Sequence, residues 1–194
     1  NIVTSELAAT QKAYIANVNI TNAGDITVSS ILNQSSDNGA KAILGSSAGN
    51  LGAGITFYGS TSNTAIAIAE ATNYAYAEGV SFGDENNRTG SLTVKALGNS
   101  IALADISSGA LSAGYVTLGT SVLYARANGD YRAYVDTTGA SLYVDSLTVT
   151  NDYTASATAK TAQPSGGTIS GFESKVNVAE ATVGINAEAG IKGN

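Results

Sequence analysis

Cysteine, histidine, methionine and tryptophan are absent from this 194-residue chain, and proline occurs once. Without Cys there is no disulfide framework, no thiolate nucleophile and no zinc-thiolate site. Without His there is no Ser-His-Asp triad, no Cys-His pair and no imidazole-bound metal, so most hydrolase designs are excluded. Stability has to come from packing, and the joint absence of these residues suits a chain that works outside the cell or on its surface. Charge is scarce as well. Charged residues make up 12%, nine basic against fifteen acidic, for a net charge of −6. No block of Lys or Arg is available to neutralise phosphates, so neither nucleic acid nor an acidic membrane is an expected partner. No run approaches the roughly 18 apolar residues that span a bilayer, so no membrane insertion is expected. The chain opens at Asn1 with no signal-peptide pattern. It reads as a mature or excised portion of something longer.

What is present is 43% hydrophobic and rich in Ala, Gly, Ser, Thr and Asn. That is enough apolar material for a core. The apolar residues alternate, as in Ala65-Ile66-Ala67-Ile68-Ala69, Tyr74-Ala75-Tyr76-Ala77 and Val122-Leu123-Tyr124-Ala125, which is the period of extended strands rather than helices. Turn chemistry falls at Asp37-Asn38-Gly39, Gly49-Asn50, Gly83-Asp84-Glu85-Asn86-Asn87, Gly98-Asn99, Asn128-Gly129-Asp130 and Thr138-Gly139. Pro164 lies in a loop-like Gln163-Pro164-Ser165-Gly166-Gly167.

The chain also repeats. Asp25-Ile26-Thr27-Val28 returns as Ser91-Leu92-Thr93-Val94 and as Ser146-Leu147-Thr148-Val149, 66 and then 55 residues on. A second landmark, Ile68-Ala69-Glu70-Ala71-Thr72, returns as Tyr124-Ala125-Arg126-Ala127-Asn128 and Val178-Ala179-Glu180-Ala181-Thr182, at offsets of 56 and 54. This alignment sets Glu70, Arg126 and Glu180 at one solvent-facing position. The first copy carries about ten extra residues, assigned to the Gly-rich stretch 45–54. Residues 10–21, with Ala13-Tyr14-Ile15-Ala16, match 72–83, with Ala75-Tyr76-Ala77-Glu78. The units are therefore 1–24 (partial), 25–90, 91–145 and 146–194, forming a single repetitive domain. The expected fold is all-β, a parallel β-helix or β-solenoid of diverged units of about 55 residues, each holding two or three turns. An antiparallel β-sandwich with hairpins at the Asn-Gly sites is the alternative.

Little here suggests chemistry. A carboxylate pair of glycosidase type would have to come from Glu70, Glu180, Asp84, Glu85, Asp130 and Asp136. Against that, a position that recurs as Glu, Arg and Glu reads as a solvated surface, and no enzyme is expected. Asp84, Glu85 and Asn86 offer hard oxygen ligands to Ca²⁺ but also fit an ordinary turn. Neither the EF-hand nor the Gly-Gly-x-Gly-x-Asp spacing occurs, and no other cofactor is indicated. Gly45, Gly49, Gly52 and Gly54 lack the Lys-Ser/Thr of a phosphate cradle. Ten Tyr against three Phe is suggestive, because a Tyr ring stacks on sugars or partner surfaces while its hydroxyl stays wet. Tyr74, Tyr76, Tyr124, Tyr131 and Tyr134 form a candidate surface stripe, or else cross-strand pairs and inward residues. Thr27, Thr93 and Thr148 recur but are too few for a dense hydroxyl array.

With its Gly-Asp-Ile-Thr-Val, Gly-Ser-Leu-Thr-Val and Ala-Glu-Ala-Thr runs, the chain resembles large bacterial repeat adhesins of the filamentous-haemagglutinin-like and leukotoxin-type filamentous kinds. The resemblance covers most of the chain but rests on texture, and it carries no functional residue over. It implies export and a stalk or fibre that contributes to attachment. Partners would be neighbouring repeats or identical subunits, and a host-surface glycan or protein. Two alternatives remain: a filament subunit joined by strand exchange, with residues 1–22 as donor, and a polysaccharide-binding or polysaccharide-cleaving β-helix.

Overall fold

The computed structural model describes residues 1–35, 39–44, 56–106, 114–161 and 172–193, and none of these is helical. The strands, in order, are β1 (Ile2–Ala16), β2 (Asn19–Ile20), β3 (Ile26–Leu32), β4 (Ala40–Leu44), β5 (Thr56–Glu78), β6 (Ser81–Phe82), β7 (Thr89–Ile106), β8 (Gly114–Asp136), β9 (Val144–Thr161) and β10 (Phe172–Lys192). Every ladder among them is parallel. The first sheet runs β1-β5-β8-β10, and in the second both β3 and β4 pair with β7, which pairs on its other side with β9. At one corner β2 pairs with β6, and a bridge from Phe82 to Leu142 extends this short ladder. The chain winds from first sheet to second and back, as a two-sheet solenoid. Parallel pairing throughout removes the antiparallel sandwich for the described residues.

Each repeat makes one coil rather than two or three. Val28, Val94 and Val149 stand directly above one another, as do Tyr14 and Tyr76. One coil absorbs a whole unit because its strands are long: β5 and β8 have 23 residues each, which at about 3.3 Å per residue is roughly 75 Å. The first landmark locks onto its copy through Asp25, whose Oδ1 accepts from the Ser91 amide at 2.9 Å and the Ser91 hydroxyl at 2.7 Å.

The extra length of the first coil is not all in one place. The pairing step falls from 66 at Ile26↔Leu92 to 62 at Ala40↔Ala102, so four more residues lie between Leu32 and Ala40 than between their partners Gly98 and Ala102. Asn33 follows β3 at φ 48°, in the left-handed region that Asn tolerates better than most residues. Leu44↔Ile106 becomes Thr56↔Gly114, so four more residues lie between Leu44 and Thr56 than between Ile106 and Gly114, and the 45–54 stretch itself lies outside the described residues. Residues 83–88 leave the ladder, and Tyr143 alone replaces them in the next coil.

The core lies between the sheets in two clusters. Near the corner, Val28, Val80, Phe82, Leu92, Val94, Val135 and Val144 pack with Ala75, Ala77, Ala96 and Ala133. Toward the other end the inward positions are almost all alanine: Ala40, Ala42, Ala65, Ala67, Ala69, Ala102, Ala104, Ala125 and Ala127, with Leu123 and Ile106. In this half the larger member of each alternating pair, Ile66 or Ile68, faces outward and is half-buried.

A polar and glycine-containing waist separates the clusters. Buried Asn73 donates to the Leu97 carbonyl at 2.7 Å and the Ser30 carbonyl at 3.2 Å, while the Ser30 hydroxyl donates to Asn73 Oδ1 at 2.5 Å. Ser100 Oγ donates to the Asn128 carbonyl at 2.8 Å. Tyr131 fills the waist where its ladder neighbour is Asn73. It fits because Gly129 has no side chain, since a Cβ there would overlap the Tyr131 ring; at Gly98 a Cβ would lie 3.0 Å from that ring but would first meet the Leu32 carbonyl oxygen at 2.5 Å. Turn chemistry around both glycines predicts loops, yet both are strand residues. The corner signals behave as expected, with Gly83 and Gly139 at φ 68°. Of the remaining turn sites, Asp37, Asn38, Gly49, Asn50 and the Pro164 segment lie outside the described residues.

Candidate functional site

The polar and aromatic side chains that draw attention lie on the outer face of the first sheet, in rows that cross the strands. One row is Tyr14, Tyr76, Tyr134 and Gly190. Its rings stack with centroids 5.2 Å apart at each step and interplanar angles of 8° and 5°. Parallel in-register pairing makes this possible, because identical residues recur at the spacing of neighbouring strands. Lys192 Nζ lies 4.0 Å from the Tyr134 centroid, a cation over the last ring face. Burial and the nearby carboxylate of Glu78 push the Tyr134 hydroxyl above its ordinary pKa.

The adjacent row is Lys12, Tyr74, Arg132 and Glu188. Tyr74 lies between two cations, with Lys12 Nζ 5.5 Å and Arg132 Cζ 5.3 Å from its centroid. Asp130 ties this row to its own. It accepts from Arg132 Nε at 2.9 Å, Arg132 NH2 at 3.1 Å and Asn186 Nδ2 at 3.0 Å, and also from the Tyr74 hydroxyl. Burial works against its charge, but these donors, Arg132 foremost, outweigh it and hold the carboxyl below the usual range. The same bond to Asp130 pushes Tyr74 upward. The cluster therefore clips β5, β8 and β10 together on the outside.

Of the tyrosines expected in a surface stripe, Tyr74, Tyr76 and Tyr134 belong to these rows. Tyr124 stands apart, half-buried between Ile66 and Glu180. Tyr131 is a correction: it faces inward at 0% exposure and stacks on Tyr153 at 5.3 Å. Burial pushes its hydroxyl up to about 12, and the oxygen has no hydrogen-bond partner. In the Tyr14–Tyr76–Tyr134 ladder the inner ring faces cover one another, so edges and hydroxyls meet solvent there, and the ring face left open is that of Tyr14.

The acidic candidates are dispersed into local contacts. Glu70 pairs with Arg126 at 3.4 Å, Glu180 accepts from the Thr182 hydroxyl at 3.3 Å, and Asp136 accepts from the Thr138 amide at 2.8 Å. Glu70, Arg126 and Glu180 do not share one position. Their ladder partners are Asn128 for Glu70, Ile68 and Thr182 for Arg126, and Tyr124 for Glu180, a two-residue slip from the expected alignment that leaves every side chain on its face. At the 83–88 corner, Asp84 Oδ1 accepts from the amides of Asn86 and Asn87, each at 2.8 Å. These bonds hold the Asp84 carboxyl below its usual range. Asp84 thus caps its own turn, with Glu85 and Asn86 exposed beside it. Among the described residues no group of three or more His, Cys, Asp or Glu is arranged to hold a metal ion. Thr27, Thr93 and Thr148 stack in register as a single row.

Sequence reasoning does not single out Lys12, Arg132, Lys192 or Gly190. Their signal is positional, and it becomes visible only once the strands are set in register. No family model, curated protein or solved structure matches the chain.

Proposed function

We propose that the chain is a structural, non-enzymatic segment of an extracellular bacterial surface protein, part of a stalk or fibre that contributes to attachment. The observation that supports this best is coil-on-coil stacking in register, in which each added repeat extends both sheets by one strand and contacts only its neighbours. The composition agrees, since a sparsely charged, Ser/Thr/Asn-rich exterior on a core free of Cys and Met suits an exposed, oxidising setting. Its partners on this reading are neighbouring repeats or identical subunits along the stack, and a glycan or protein on the host surface. With strands of roughly 75 Å and four levels of about 4.8 Å, the isolated chain is a slab much wider than tall. Added coils turn it into a ribbon.

Strand exchange is the other way to build a fibre. Its expected donor, residues 1–22, contains β1 and β2, which pair within the chain to β5 and β6. Electron microscopy of the purified chain, combined with binding of chain-coated beads to immobilised glycans and proteins, tests the reading. Elongated thin particles and bead capture above an uncoated control are expected. Compact round particles, or shortening of a glycan by the chain, would count against it.

A further inference from the structure

Among the described residues the first sheet has β1 and β10 as its edge strands, each paired on one side only. On β10, Val176, Val178, Val183 and Ile191 are exposed by 54%, 50%, 50% and 59%. A long edge strand with exposed apolar residues and no proline is a template for another strand. The outer rows, moreover, finish in complementary groups at the two edges. The tyrosine row starts at Tyr14, 60% exposed, and finishes at Gly190, where an added Cβ would meet nothing within 4 Å. The next row starts with a cation, Lys12, and finishes with a carboxylate, Glu188, which shares its charge with Lys192 at 3.0 Å on the same strand.

We propose that a second copy of the chain docks its β1 along β10 as a parallel strand, with its Tyr14 over Gly190 and its Lys12 opposite Glu188. Lys192, already over Tyr134, then lies between two ring faces. On the inward side Val3, Leu7 and Ile15 of the second copy meet Ala179, Val183 and Ile191. A one-residue slip turns both faces over. A two-residue slip sets Glu6 opposite Glu180 in one direction, and Ile15 opposite Gly193 in the other. This inference rests on the structural reading above and specifies its partner.

Strand counting separates docking from strand exchange. The first sheet has four strands per copy, whereas β3 and β4 share one level of the second sheet, which therefore has three levels. Docking through β1 adds four levels per copy, a rise of about 19 Å. If β10 instead displaced β1 from the next copy's β5, three levels would be added, about 14 Å.

The test is sedimentation velocity of the full chain over a concentration series, with cryo-electron microscopy of any assemblies. Concentration-dependent growth with a rise near 19 Å is expected. In β1 the Asn1 carbonyl accepts from Thr64 and the Asn17 amide donates to Glu78, so odd-numbered residues face β5 and even-numbered amides face the open edge. Ala8→Pro should therefore abolish association while the monomer keeps its circular dichroism and melting temperature. Lys12→Glu should weaken association by about two- to fivefold, with recovery in Lys12→Glu/Glu188→Lys. A chain that stays monomeric, a rise near 14 Å, or association indifferent to all these substitutions overturns the proposal. Elongated slabs that never associate would sink the docking alone, whereas compact particles would sink the structural reading beneath it.

Discussion

The two halves of the core use the same strands differently. Near the corner, where the short β2-β6 ladder and Leu142 join the two sheets, Phe82, Leu92 and valines pack beside four alanines. In the other half the inward positions are nearly all alanine, with Leu123 and Ile106 the larger exceptions. Close packing requires opposed strands to approach more nearly where methyl groups are the filling. The waist of Ser30, Asn73, Ser100 and Tyr131 marks the change, and there Asn73 and Ser100 direct their polarity to strand carbonyls while the Tyr131 hydroxyl is left without a partner.

The largest effects should come from violating each half in its own direction. Phe82→Ala leaves a cavity in the corner half, where Phe82 is fully buried, and should cost about 3–5 kcal/mol. The same truncation is not available in the alanine half, where the damaging change is enlargement. Ala67→Leu, at a position with 0% exposure, should cost about 1–3 kcal/mol through overpacking. Thermal or urea unfolding of both variants checks this. If Ala67→Leu proved neutral, the alanine half would have room that close packing denies it.

The waist gives a coupled pair. Gly129→Ala drives a methyl into the Tyr131 ring and should destabilise by about 1–3 kcal/mol. In a Tyr131→Ala background the same substitution should be close to neutral, because the obstructing ring is gone. Additive losses in the four-variant cycle would mean that Gly129 is there for another reason.

These contrasts also show how much of the fold is legible in the sequence. Ile26 to Val28 and its two copies pair residue for residue, with Asp25 held to Ser91 through its side chain, because their unlike neighbours, such as Asp or Ser before a branched residue, mark a single register. Tyr14 and Tyr76 align correctly for the same reason. Glu70 and Arg126 do not, since an Ala-x-Ala-x run looks alike after a two-residue slip and keeps its faces. Gly98 and Gly129 carry turn-forming neighbours but are strand residues that leave space. Gly129 leaves its space to the Tyr131 ring, and Gly98 leaves its space to the Leu32 carbonyl and the same ring, both distant from Gly98 in sequence. The outer clip is out of reach for a related reason: Tyr74, Asp130 and Asn186 come from three coils, and only the coil length brings them together.

Tyr131→Phe probes the waist more gently. It removes a buried hydroxyl without a partner and keeps the ring that Gly98 and Gly129 accommodate, so it should stabilise by about 1 kcal/mol or more at neutral pH. The alkaline limb has a definite sign. The folded value is raised from 10.0 to about 12, so this group's contribution is intact below the unfolded value and is lost as pH rises between the two. The parent should therefore lose stability from pH 10 to 12 relative to the Phe variant. Melting curves across that window check it, and parallel decline of the two proteins would mean that the hydroxyl reaches solvent.

The smallest effect concerns whether the waist is also held from outside. Asp130 is held below its ordinary pKa by Arg132, Tyr74 and Asn186 against the opposing effect of burial. A carboxyl depressed in the folded state stabilises above its unfolded value, about 3.9, and loses that contribution as pH falls through the folded value. Asp130→Asn should accordingly melt slightly below the parent at neutral pH, and the two melting curves should converge as the pH falls below about 4. The pair is partly exposed, with side-chain accessibilities of 35% for Arg132 and 29% for Asp130, so screening keeps the gap modest and added salt should narrow it further. Convergence in acid, together with salt sensitivity, would place electrostatic clamping on the outer face over a waist whose interior is neutral. A gap that persists unchanged at low pH would mean that Asp130 acts through hydrogen-bond geometry alone, and that the two halves of the core are joined from within.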